Sequence, residues 1–211
     1  MRSPTNEAVV LIHGLAAHTT IMRRLESFIG SHGYQVTNWG YQSITRTVSV
    51  YAAAFQQELA RLDAMPQIQR LHIVTHSMGS IVTRCTLSGY RPDKLQRIVM
   101  LAPPNAGSYA ARYLSKPLGR ICPPLFDLSD DPESFVNQLD EPQDCEIGVI
   151  AAKFDHVVPR RSTHLSCQRD YIVLPSLHSM LPLKRKTAKQ VLHFLQNGCF
   201  DHSAVLTTPL F

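Results

Sequence analysis

Ser77 stands in the run Val74-Thr75-His76-Ser77-Met78-Gly79-Ser80, directly after an apolar stretch and directly before a stretch of helical period. A serine hydroxyl is a weak nucleophile until a base takes its proton and a carboxylate holds that base in the right tautomer. Both residue types follow along the chain. Asp155 lies in Lys153-Phe154-Asp155-His156-Val157-Val158-Pro159, and His178 lies in Pro175-Ser176-Leu177-His178-Ser179. A serine at a strand-to-helix corner is exposed by a strained turn, and the helix behind it offers backbone N–H groups and a positive dipole end to developing negative charge. Upstream, His13-Gly14-Leu15-Ala16 ends the first apolar run. A glycine there permits a sharp turn, so the Leu15 N–H can point toward the serine and share an oxyanion with the Met78 N–H. Each such donor is worth about 3 kcal/mol in a transition state. The chemistry these residues suit is acyl transfer.

Competing assignments exist for each role. Thr75 replaces the first glycine of the usual Gly-x-Ser-x-Gly pattern, and Ser77 also reads as an ordinary helix N-cap. His156 is a rival base, but it adjoins Asp155 in sequence and reaches back to that side chain with difficulty. Asp127, Asp130 and Asp131 are rival acids. His76 reads as packing beneath the serine or as pocket lining. The ten histidines include no His-Glu-x-x-His run and no zinc-like Cys/His spacing, so no metal is expected.

The elements that must position these residues follow from periodicity. Apolar, β-branched runs at 8–13, 34–38, 70–75, 96–101, Glu146–Ala152 and Asp170–Leu174 read as buried strands. Between them, 20–33, 48–62 and Met78–Gly89 carry apolar residues at helical spacing, and a last helix carries Val191, Leu192 and Leu195. Strands alternating with helices imply an α/β fold, a six-stranded and mostly parallel sheet with helices on both faces. In such a sheet the carboxyl ends of the strands share one edge, so Ser77 and His178 can converge across 101 positions. The stretch 103–144 holds seven of the 14 prolines and reads as a functional lid or rim, or as a decorated crossover with one or two short helices.

Composition narrows the class further. The chain has 211 residues, 44% of them hydrophobic, with 21 Lys+Arg against 16 Asp+Glu. That length favours one domain over 1–211 with a sizeable core, and disorder is disfavoured. The net charge of +5 comes from scattered cations, so nucleic acid is not an expected partner. Five separated cysteines without a Cys-x-x-Cys run favour a reducing compartment. The polar start at 1–7 does not read as a signal peptide, and no apolar run approaches the length of a membrane helix, so a cytoplasmic location is expected.

Several blocks together resemble a bacterial lipase/esterase of the α/β-hydrolase superfamily. They are Val-Val-Leu-Ile-His-Gly-Leu ending at Leu15, Val-Thr-His-Ser-Met-Gly ending at Gly79, Ala-Pro-Pro-Asn-Ala-Gly-Ser ending at Ser108, Asp-His-Val-Val-Pro ending at Pro159 and Leu-Pro-Ser-Leu-His-Ser ending at Ser179. The third resembles the Gly-Thr-Pro-His-x-Gly-Ser turn of triacylglycerol-lipase-like members, with Asn105 where a histidine is common. The resemblance implies a serine hydrolase that cleaves carboxylic esters through an acyl-enzyme, without a cofactor. It assigns Ser77, Asp155 and His178 as catalytic, with Leu15 and Met78 as oxyanion donors. It also implies a minimal fold without the two leading strands of the eight-stranded form. Expected partners are a small-molecule ester or a lipid, with transient membrane-surface contact as an addition. His18, Leu118, Leu125 and Met180 are the expected substrate-binding residues, although the same positions read as solvent-facing or as packing of the excursion. Thioesterase, amidase and acyltransferase chemistry use the same triad, and a non-catalytic binding protein on this fold is the remaining alternative.

Overall fold

The structure is a computed structural model describing residues 6–203; the segment 1–5 and the end of the tail, 204–211, lie outside it. Its frame is a six-stranded sheet of β1 (Glu7–Ile12), β2 (Gln35–Trp39), β3 (Arg70–His76), β4 (Leu95–Leu101), β5 (Glu146–Ala152) and β6 (Asp170–Leu174). Spatial order is β2-β1-β3-β4-β5-β6, and every neighbouring pair is parallel, where the sequence implied a mostly parallel sheet. The strands begin and end within one residue of their expected bounds; the four central ones are apolar runs buried almost throughout, whereas the edge strands β2 and β6 are only partly covered.

Period-two alternation distributes β1 between two cores. Val10 and Ile12 face α2 (Val48–Asp63) and α3 (Met78–Gly89), joining Phe55, Leu59, Ile81 and Val82. Val9 and Leu11 face the other side, where α1 (Arg23–Gly30) and the final helix bury Leu25, Ile29, Val191 and Phe194. The first helix is shorter than the expected 20–33. A 3-10 turn at Thr19–Met22 leads into α1, which stops at Gly30. There the Ser31 hydroxyl and a ring N–H of His32 both donate to the Phe28 carbonyl, 2.7 Å each, and compete with continuation of the helix.

The excursion 103–144 carries three helices rather than one or two: α4 (Tyr109–Leu118), α5 (Pro124–Asp127) and α6 (Phe135–Gln138). The final helix, α7, spans Arg185–Asn197. Buried Arg84 of α3 ties the two ends of the excursion together, donating to the carbonyls of Asn105 at 2.8 Å and Leu139 at 2.6 Å. The Val48 N–H at the start of α2 donates to the Asp127 carboxylate at 2.8 Å. No helix among the described residues is long and apolar enough to cross a membrane.

Candidate active site

Ser77 occupies the corner between β3 and α3 with φ 51° and ψ −124°, a conformation that costs a non-glycine residue about 1–3 kcal/mol. The corner is held because the Ser77 N–H donates to the Leu101 carbonyl at 2.9 Å and the Ser80 N–H returns to the Ser77 carbonyl at 2.9 Å. Close approach of helix and sheet explains Gly79. A Cβ at this position would stand 2.7 Å from the Ile12 carbonyl oxygen and 2.8 Å from that of His13. Thr75, which takes the place of the first glycine of the motif, shares a 2.6 Å hydrogen bond with the Ser80 hydroxyl, so its added polar atom is satisfied inside the core.

The loops after β5 and β6 bring Asp155 and His178 to this corner. The Ser77 hydroxyl donates to His178 Nε2 at 2.9 Å, and His178 Nδ1–H donates to Asp155 Oδ2 at 2.7 Å. The Asp155 side chain is almost fully buried, and its other oxygen accepts the N–H groups of Val157 at 2.9 Å and Val158 at 2.8 Å. Burial pushes the Asp155 carboxyl up. The His178 hydrogen bond, the His178 charge and the two backbone donors outweigh that and hold it below its ordinary value. A chain of this kind can pass the serine proton to an imidazole whose tautomer a carboxylate has already selected.

The turn after β1 closes against the serine. A Cβ on Gly14 would lie 2.8 Å from that of Ser77, so only glycine brings the chain this near. Leu15 and Ser77 line the same cavity, and Met78 opens α3, where the first N–H groups lack intrahelical partners. Tyr41 braces this turn. Its hydroxyl donates to the His13 carbonyl at 2.9 Å and its ring stacks on that of His13, with centroids 4.6 Å apart.

The rival residues are engaged elsewhere. Asp127 accepts from Val48, Asp130 pairs with Arg112 at 2.9 Å, and Asp131 accepts the Glu133 N–H at 3.0 Å. His156 is exposed, and its carbonyl accepts the Tyr109 hydroxyl. His76 is buried beneath His178, with ring centroids 5.1 Å apart; its Nε2–H donates to the His178 carbonyl at 3.2 Å. Burial and the neighbouring His178 push the His76 ring down to about 3, so it is neutral at ordinary pH.

A cavity of about 210 Å³ opens on Ser77 and His178, walled chiefly by Ala111, Leu114, Leu125, Leu128, Val157 and Val158. Leu125 therefore lies in the wall. His18 and Met180 are exposed and outside it, as is Leu118 on the outer side of α4. Val157, two residues beyond Asp155, and the small Ala111 of α4 are wall residues that were not among the expected substrate-binding positions. A clue to both was Ser108, which caps α4 through the Ala111 N–H at 3.3 Å and donates to the Val157 carbonyl at 2.6 Å.

The all-parallel sheet with a serine corner after its third strand, and with Asp155 and His178 at later strand ends, is the α/β-hydrolase fold in the form found in lipases and esterases. Among solved structures, the mature lipase BlEst2 of Bacillus licheniformis is similar with a TM-score of 0.74 at 15% identity, over 94% of each chain. Lipase B of Aspergillus fumigatus has a TM-score of 0.73 at 14% identity, over 93% of this chain and 55% of that one. The phospholipase PlaB of Legionella pneumophila, in complex with thio-NAD, has a TM-score of 0.62 at 22% identity. The match covers 75% of this chain and 44% of PlaB, so the chain corresponds to less than half of that phospholipase. No family model matches the sequence, and no curated protein matches it. At these identities the likeness is one of fold.

Proposed function

We propose that the protein is a serine hydrolase of carboxylic esters, working through an acyl-enzyme on Ser77. The observation that carries this reading is the unbroken hydrogen-bond chain from Ser77 Oγ through His178 to Asp155. Ser77 attacks the ester carbonyl as His178 takes its proton, and the backbone N–H groups of Leu15 and Met78 receive the oxyanion. His178 then returns the proton to the leaving alcohol. Water, deprotonated by the same imidazole, releases the acid. Asp155 keeps Nδ1 protonated throughout, and its buried, doubly donated carboxylate stabilises the imidazolium that forms.

The cavity supports an acyl chain of modest length. Its volume of about 210 Å³ lies below the ~300–1,000 Å³ of pockets that take drug-sized ligands, and its walls are mainly aliphatic. In this reading 103–144 is a fixed rim within one domain, anchored by Arg84, Ser108 and Asp127. The test is hydrolysis of p-nitrophenyl esters from acetate to decanoate by the wild type and by Ser77→Ala, together with a fluorophosphonate probe. Loss of both turnover and labelling in the variant is expected. Equal rates in the two proteins, or labelling of another serine, would overturn the assignment.

A further inference from the structure

Helix α4 is packed inside out. Facing the protein it buries the small residues Ala111 and Ser115, while its large apolar residues Tyr113, Leu114 and Leu118 face solvent. A surface helix stabilised only by its own domain does the reverse, turning its large apolar stripe inward. The inversion continues past the helix. Ile121 and Phe126 are also exposed, so 109–126 carries five of the eleven large hydrophobics exposed among the described residues; Tyr113 at 64% and Ile121 at 72% are the barest. The other six lie in segments that follow strand carboxyl ends: Ile44 and Val50 after β2, Phe154 and Val157 after β5, Leu177 and Met180 after β6. A one-sided concentration of this kind marks a docking surface.

Charge indicates what docks there. The segment 109–126 contains Arg112, Lys116 and Arg120 and no carboxylate at all. Arg112 is taken by Asp130, whereas Lys116 and Arg120 form no ion pair among the described residues and flank the bared Leu118 and Ile121. In the loop after β5, Lys153 lies 5.6 Å from the centroid of the exposed Phe154 ring. A second protein burying this face would have to desolvate those cations or supply matched acids. An anionic lipid surface takes both features together, with aliphatic and aromatic side chains in the acyl boundary and lysine and arginine at the headgroup phosphates. Leu114 and Val157 belong at once to the exposed set and to the cavity wall, so the surface is continuous with the mouth over Ser77.

We propose that the outward face of 109–126 and the neighbouring apolar loops form a docking surface for anionic lipid bilayers, seating the cavity mouth on the membrane. The proposal concerns binding, and it stands whether or not Ser77 is the nucleophile. It is tested with Ser77→Ala protein sedimented with phosphatidylcholine vesicles, with and without phosphatidylglycerol. Pelleting with the anionic vesicles, weakened by added salt, is expected. Tyr113→Ser with Ile121→Ser, neither in the cavity wall, lowers partitioning about tenfold or more. Lys116→Gln with Arg120→Gln lowers it about fivefold per cation removed. In the Ser77 background both pairs retain hydrolysis of a soluble short ester, which also reports that they fold. No pelleting, equal pelleting with uncharged vesicles, or unchanged partitioning in both pairs would overturn the proposal. So would a concentration-dependent dimer abolished by the Tyr113 and Ile121 changes, which would make a second copy the occupant.

Discussion

The His76 ring donates its Nε2–H to the backbone carbonyl of His178 at 3.2 Å, so the residue before the proposed nucleophile holds the main chain of the proposed base. His178 begins a 3-10 turn, and this hydrogen bond sets where that turn starts relative to Ser77. A misplacement of about 1 Å at a reacting group can cost on the order of 100-fold in rate. His76→Leu, which removes the donor, is expected to lower kcat by roughly 10- to 100-fold with little change in KM. His76→Gln, which keeps an N–H at similar reach, should recover most of it. Steady-state kinetics on a short ester, with equal loss in the two variants, would show that only bulk matters there.

The same residue makes stability depend on pH. Its folded ring titrates at about 3, far below the ~6.5 of an unfolded histidine, and burial likewise lowers His13 and His72. The unfolded chain therefore binds more protons between those values. The contribution is complete above pH ~6.5 and shrinks as pH falls toward 3. Urea midpoints measured from pH 7.5 to 4.5 should fall for wild type and fall less for His76→Gln. Carboxylates held low, such as Asp155 and Glu141, act in the same direction, and the comparison of the two proteins removes them.

Asp155→Asn should separate orientation from binding. An amide in that place donates where the carboxylate accepted and favours the wrong imidazole tautomer, and in a serine triad this costs about 10⁴-fold in kcat. KM should change little. A loss under tenfold would point to one of the excursion carboxylates as the working acid.

Gly79→Ala tests the contact between helix and sheet beneath the serine. The added methyl meets the carbonyl oxygens of Ile12, at the end of β1, and of His13, just beyond it, at under 3 Å, and backbone cannot step aside as a side chain end can. A loss of about 1–3 kcal/mol is expected, read as a lower melting temperature together with lower activity.

Arg84→Met tests whether the excursion is a fixed rim. The substitution keeps an apolar stem and deprives the buried Asn105 carbonyl and the half-buried Leu139 carbonyl of their donor, at a cost of about 1–3 kcal/mol for the buried group and less for the other. Hydrogen exchange should accelerate across 103–144 while the sheet stays protected. Rapid exchange of that segment already in wild type would favour a lid.

Much of this is legible in the sequence. Strands such as Val9 to Ile12 are written as β-branched runs closed by turn residues, a local pattern that needs no tertiary information. The order of serine, acid and histidine, each at a strand end, likewise brought Ser77, Asp155 and His178 to one edge as soon as the sheet was read as parallel. The first helix was overextended because the competition of Ser31 and His32 for one carbonyl is a matter of side-chain geometry, invisible to apolar spacing. The three helices of the excursion were obscured by prolines, some of which start helices as Pro124 does.

Sequence alone determined the alternation of strands and helices and the serine corner between β3 and α3, because both depend on periods of two and 3.6 residues and on glycines at close approaches. Tertiary structure decided which side chains share a wall. Leu125 and Leu118 are equally apolar and seven positions apart, yet one lines the cavity and the other faces solvent. It also decided that α4 turns its large residues outward, since helical spacing defines a stripe but not the side on which the rest of the molecule lies. Burial is a property of the whole packed chain, and no local pattern encodes it.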